Sequence, residues 1–107
     1  MSLDLYLEVV QPVAVFDRNI THNLVPMAKE AGVYRALWRP DEEGYEKASQ
    51  LIPVLKAGLA RLEAEPERFR ALNPPNRWGS YEGLVAFVRA TLAACEEYPE
   101  AAVRVSR

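Results

Sequence analysis

Leu3, Leu5, Leu7 and Val9 alternate with Asp4, Tyr6 and Glu8, and the far end, Ala101 to Arg107, alternates again with Val103 and Val105 on one face. A period of two marks a strand with one buried face. Two such strands at opposite ends of a chain constrain the fold more than anything between them, because a strand near a terminus stays ordered only with a partner. The pattern predicts that the end strands pair in one small antiparallel sheet. A two-stranded ribbon is marginal in water, so helices must cover its apolar face. Pro12 interrupts the first strand, since it cannot donate to a ladder. Val13 to Phe16 reads as a second extended piece, its pairing across Gln11-Pro12 left open.

Between these ends the apolar spacing is helical. A first helix is expected from Leu24 to Ala31, ended by Gly32 as a left-handed cap. Thr21 or Asn23 can cap its start; Asn23 is favoured because it puts Pro26 in the first turn, where a missing N–H costs least. Val33 to Trp38 reads as a helical turn or packing arm before Pro40. Asp41-Glu42-Glu43 reads as the acidic start of the longest helix, whose Ala48, Leu51, Ile52, Leu55, Leu59 and Leu62 form a core stripe. Pro53 lies inside that stripe and predicts a kink. Pro66 opens a short helix over Glu67 to Leu72, and Asn73 to Gly79 is a loop. Ser80 caps the last helix, with Tyr81, Leu84, Val85, Val88, Leu92 and Cys95 inward, and Pro99 closes it. The expected architecture is a single compact α+β domain spanning residues 1–107, mostly α, with three to four helices on the small sheet.

Composition removes whole classes of function. The formal net charge is −2, which supplies no global field for nucleic acid or an acidic membrane. Cys95 is the only cysteine and His22 the only histidine, so neither an internal disulfide nor a thiolate zinc cluster can form. Only carboxylates remain as hard-metal ligands, and Asp41-Glu42-Glu43 reads more simply as a solvated helix start than as a magnesium site. No apolar run approaches the ~18–20 residues of a membrane span, and Met1 to Leu5 lacks the basic region of a secretory signal. A cytoplasmic protein without membrane contact is expected. No nucleophile elbow, phosphate loop or dinucleotide fingerprint occurs, so no cofactor is expected.

What remains are two polar stretches, each just before a helix. The first is Asn19-Ile20-Thr21-His22-Asn23-Leu24. His22 is the one side chain with an ordinary pKa near neutrality and hence the best candidate general base, with Asn19 and Asn23 able to orient it or a ligand. The same residue types also satisfy the free N–H groups of a first helical turn, which is their ordinary duty. The second stretch offers Arg77, Trp78, Tyr81 and Glu82. Trp78, in a loop before a helix, reads as a ligand or partner contact, while Trp38 reads as a core anchor with its indole N–H bonded to backbone. Arg68, Arg70 and Arg77 with Trp78 resemble a nucleic-acid surface, but interleaved glutamates make a mixed solvated helix the simpler account. Cys95, on an apolar stripe, reads as an inert buried thiol.

Asn19-Ile20-Thr21-His22-Asn23-Leu24, Leu37-Trp38-Arg39-Pro40 and Trp78-Gly79-Ser80-Tyr81-Glu82-Gly83-Leu84, in that order, resemble a family of small bacterial and bacteriophage-encoded proteins with no assigned activity. The resemblance implies a free-standing, phage-related domain and transfers no catalytic residue. Arg77 stands where that pattern has a glycine. The reading that follows is a small soluble binding or accessory protein without catalysis, recognising a protein or a small polar or anionic ligand, with self-association left open. The alternatives are an enzyme using His22 as general base and a weak nucleic-acid module using Arg68, Arg70, Arg77 and Trp78.

Overall fold

β1 (Ser2–Glu8) is the centre of the sheet, not one half of a ribbon. In the computed structural model, residues 1–9 and 14–107 are described; the expectations resting on Pro12 and Val13 lie outside them. β1 pairs antiparallel with β2 (Ala14–Thr21) on one side and with β3 (Ala102–Ser106) on the other. The end strands therefore pair as expected, and the extended piece after Pro12 becomes a full third strand running to Thr21. Its polar Asp17-Arg18-Asn19 segment hides it from any alternation rule, because an edge strand with one open face tolerates such residues.

Leu3, Leu5 and Leu7 are fully buried. The registers set Leu5 opposite Val105 and Leu7 opposite Val103, so both valines share the covered face and are half-buried. Val9 departs from expectation: the strand ends at Glu8 and Val9 is exposed.

A 3-10 turn (His22–Leu24) leads into α1 (Val25–Ala31), which stops at Gly32 with φ of 79°. Thr21, not Asn23, is the cap: its Oγ1 accepts from the Asn23 backbone N–H at 3.2 Å. The extra 3-10 turn moves the start back by two residues, yet Pro26 still falls in the first turn of α1. α2 (Tyr34–Trp38) is a single short helix that buries Ala36, Leu37 and Trp38.

The acidic trio does not start a helix. Pro40 to Gly44 is a turn in which the Tyr45 N–H donates to the Pro40 carbonyl at 2.9 Å. Gly44, at φ of 74°, takes the chain out of any helical path. The three carboxylates bind arginines instead of helix-terminal N–H groups.

α3 (Ala48–Ala64) begins seven residues later than Asp41 and contains Pro53. Its first N–H groups find partners from the far end of the chain: Ala48 donates to the Ala101 carbonyl at 2.8 Å and Ser49 to that of Pro99 at 2.9 Å. The Gln50 side chain accepts from the backbone N–H groups of Glu46 and Lys47. Ala48, Leu51, Leu55 and Leu62 are buried, while Ile52 and Leu59 are only partly so. α4 (Pro66–Arg70) follows directly and buries Phe69. α5 (Tyr81–Glu97), capped by Ser80 Oγ on the Gly83 N–H at 3.0 Å, runs against α3. α5 packs against β2, and the buried residues of both helices and of β1 belong to one core. The radius of gyration, 13.1 Å, matches the about 13 Å expected of a folded chain of this size.

α3 crosses the 31–33 segment at Gly58, where a Cβ would overlap Val33 Cγ1 and lie 3.2 Å from the Ala31 carbonyl oxygen. In a free helix Gly→Ala gains about 1 kcal/mol. Here overpacking, of about 1–3 kcal/mol, should win. Gly58→Ala is therefore expected to lower the urea midpoint, and adding Val33→Ala should recover part of the loss; a midpoint that rises in the single variant refutes this close packing.

Candidate functional site

Both polar stretches take their shape from turn chemistry. At the first, Thr21 Oγ1 accepts from both the backbone N–H and the side-chain Nδ2 of Asn23. This fixes the strand-to-helix corner and aims the His22 ring inward rather than into solvent. His22 Nδ1 accepts the Trp38 indole N–H at 2.8 Å. Trp38 is 2 % exposed, so its N–H must be satisfied by protein. The partner is a side chain from the candidate site and not, as expected, a backbone carbonyl. Acceptance at Nδ1 puts the ring proton on Nε2, leaving that nitrogen a donor. A general base needs a free lone pair; this ring has given its lone pair to tryptophan. Asn19 is committed too, on the open face of the sheet, donating to Ser2 Oγ and Asp4 Oδ1, each at 2.8 Å.

The second stretch is braced by three asparagine contacts. Asn73 Oδ1 accepts from the Tyr81 N–H at 2.8 Å, and Asn76 Oδ1 from the Trp78 N–H at 2.9 Å. Asn76 Nδ2 then crosses to Asn23 Oδ1 at 3.3 Å, tying this loop to the first stretch. Gly79, with φ of 104°, presses on Thr21 and Leu24 so closely that a Cβ would come within 2.8 Å of each. Arg77 adopts φ of 62°, a left-handed conformation that costs a residue with a Cβ about 1–2 kcal/mol. The asparagine contacts and the Gly79 approach brace the loop in that conformation. Trp78, at its tip, is 68 % exposed.

The two stretches therefore lie side by side and flank a groove of about 360 Å³, with Arg18, Ile20, Leu24, Ser80 and Phe87 among its walls. The other expected site residues divide. Tyr81 belongs to the core: it is buried, and its hydroxyl donates to the Leu62 carbonyl at 2.6 Å. Glu82 lies on the surface and accepts from Arg70 Nε at 2.9 Å; its own backbone N–H, then Arg70, hold its carboxyl below the usual range. Arg70 also binds Glu67, and Arg68 binds Glu30 and Glu65. Two of the three arginines proposed to face nucleic acid thus have their charge matched by carboxylates.

Sequence reasoning missed a larger cleft, of about 890 Å³, between α2, the 40–44 turn and α3. Lys29, Tyr34, Arg35 and Arg39 line it, facing Glu42 and Glu43. Arg39 Nε donates to the Tyr34 phenol oxygen at 3.3 Å, which holds that phenol below the ordinary tyrosine value. The available signal was the pair of cations, Arg35 and Arg39, close in sequence on and just after a short apolar segment.

Among the described residues, no group of His, Cys, Asp and Glu is placed to hold a metal ion, and no helix is long and apolar enough to cross a membrane. Comparison with family models, with curated proteins and with solved structures finds no match to this chain.

Two outcomes test the site's chemistry. His22→Leu should leave the Trp38 N–H buried without an acceptor, a loss of about 1–3 kcal/mol in denaturant titration. His22→Asn, whose side-chain oxygen falls near the Nδ1 position, should lose clearly less; equal losses would refute the bond. Burial pushes the Cys95 thiol up to about 11. At pH 8 it should resist thiol reagents until the chain unfolds, so labelling at the rate of a free thiol would contradict its placement.

Proposed function

We propose that this chain is a small binding protein without catalytic chemistry, phage-related by its motif resemblance, which recognises a partner through the loop that carries Trp78. The observation that carries this reading is the cost built into that loop. Arg77 is held in an unfavourable backbone region, and the asparagine contacts and Gly79 hold it there. What the strain secures is a large aromatic side chain in solvent, where burial of apolar area contributes nothing to folding. Strain retained at a surface loop is a pointer to function. Tryptophan is also among the side chains most often central to binding. The adjacent groove, walled by Arg18, Ile20 and Phe87, offers mixed polar and apolar contacts to a peptide or a small polar ligand.

The committed lone pair of His22 favours this over the general-base reading. The net charge of −2, which supplies no field to gather a polyanion, favours it over a nucleic-acid surface.

A selection of random peptides displayed on yeast against the immobilised protein tests the reading. Selected peptides should lose affinity by roughly tenfold or more with Trp78→Ala, the scale of a binding hot spot. The same variant should unfold within about 0.5 kcal/mol of the parent, as for a surface residue. Failure to select any binder, or binders indifferent to Trp78, would sink it.

A further inference from the structure

The cleft around Tyr34 gathers more positive charge than the fold needs. Arg35 lies on the five-residue α2, Arg39 is the non-helical residue that ends it, and both line the cleft. Lys29 arrives from α1 with its ammonium 4.9 Å from the Tyr34 ring centroid. Three cations thus share one cleft with two carboxylates, Glu42 and Glu43, a local balance of +1 in a chain whose net charge is −2.

The counter-charges are of an exchangeable kind. Arg35 pairs with Glu43 and, at 3.4 Å, with Glu42, and Arg39 with Glu42 at 3.1 Å; all four side chains are a third or more exposed. Surface pairs of this sort contribute about 0–1 kcal/mol each. Asp41, the remaining acid of the turn, is engaged elsewhere, with Arg107 holding both its oxygens at 2.8 and 3.2 Å. That bond, with the Arg107 contact to the Trp38 carbonyl, ties the turn to β3 without help from Glu42 or Glu43. The two glutamates can therefore leave the arginines while the turn keeps its anchor.

We propose that this cleft is a binding site for an organic phosphate, whose phosphoryl oxygens replace the carboxylates of Glu42 and Glu43 on Arg35 and Arg39. Guanidinium groups match phosphate with paired, charge-assisted hydrogen bonds, and Lys29 adds a point charge. At about 890 Å³ the cleft exceeds what a bare phosphate fills, and it lies within the size range of small-molecule sites. Tyr34, Tyr45 and Val54 supply the apolar and aromatic walls for the rest of the molecule. Tyr34 is itself held by stacking on Trp38, with centroids 5.8 Å apart and planes 22° from parallel. The site is separate from the Trp78 loop and stands or falls independently of it.

The test titrates the full chain with phenyl phosphate at low salt, with phenol as control, following the Arg35 and Arg39 Nε–H and Trp38 indole N–H resonances. Saturable shifts are expected with phenyl phosphate, in the range of about 1 mM or tighter, and none with phenol. Glu42→Gln with Glu43→Gln should tighten binding several-fold by removing the competing carboxylates. Arg39→Gln, and separately Arg35→Gln, should weaken it roughly tenfold, as loss of a charge-assisted hydrogen bond does. Trp78→Ala should leave it unchanged. The proposal is overturned by absence of saturation, by equal affinity in the arginine variants, or by weaker binding in the double glutamine variant. That variant keeps the test decisive even if an arginine variant fails to fold.

Discussion

The pairing of β1 on both edges is the constraint from which the rest follows. A strand flanked on each side has its backbone groups satisfied by ladders, so its covered face can be made wholly of leucine. Because β1 and β3 come from opposite ends, closing this sheet also closes the chain. The carbonyls just before β3, at Pro99 and Ala101, then receive the first N–H groups of α3. α3 is thereby anchored at its start, by backbone hydrogen bonds, to the segment that leads into the sheet.

How much of this is legible in the sequence depends on whether a signal is local. Leu3 to Leu7, the capped helix from Ser80, and Gly32 and Pro66 as punctuation need only their neighbours, and they are read correctly. Asp41-Glu42-Glu43 is misread because acidic residues before a helical stripe have two uses, N-terminal complement and ion pairing. The choice is made by Arg35, Arg39 and Arg107, the last from the far end of the chain. Tyr81 carries two readings, core stripe and site residue, and the Leu62 carbonyl, from another helix, decides for the core by taking the hydroxyl.

His22 shows the same limit most sharply. Its type and position invite a chemical role, and no local rule reveals that an indole N–H from α2 needs an acceptor. Once Trp38 is buried, the hydrogen bond becomes an obligation, since an unmet donor costs more than a made bond contributes. The neighbouring residues were legible as a corner, but the destination of the ring was not. By contrast, whether the two polar stretches meet has a geometric answer in the Asn76 to Asn23 bond and the Gly79 approach.

Trp38 also explains why the Trp78 loop and the arginine cleft have defined shapes in so small a chain. On one side its N–H fixes His22, and so the corner against which the 73–79 loop is braced. On the other its ring supports Tyr34, the wall of the cleft, while its carbonyl accepts from Arg107, which holds the 40–44 turn. A residue placed this way positions groups at both surfaces without touching a ligand at either. That is a static role. Coupling between the surfaces would require α2 to have a second arrangement that each ligand favours differently, and the interior packing around a fully enclosed tryptophan gives α2 little room to adopt one. The two surfaces are therefore best understood as independent sites built on one anchor.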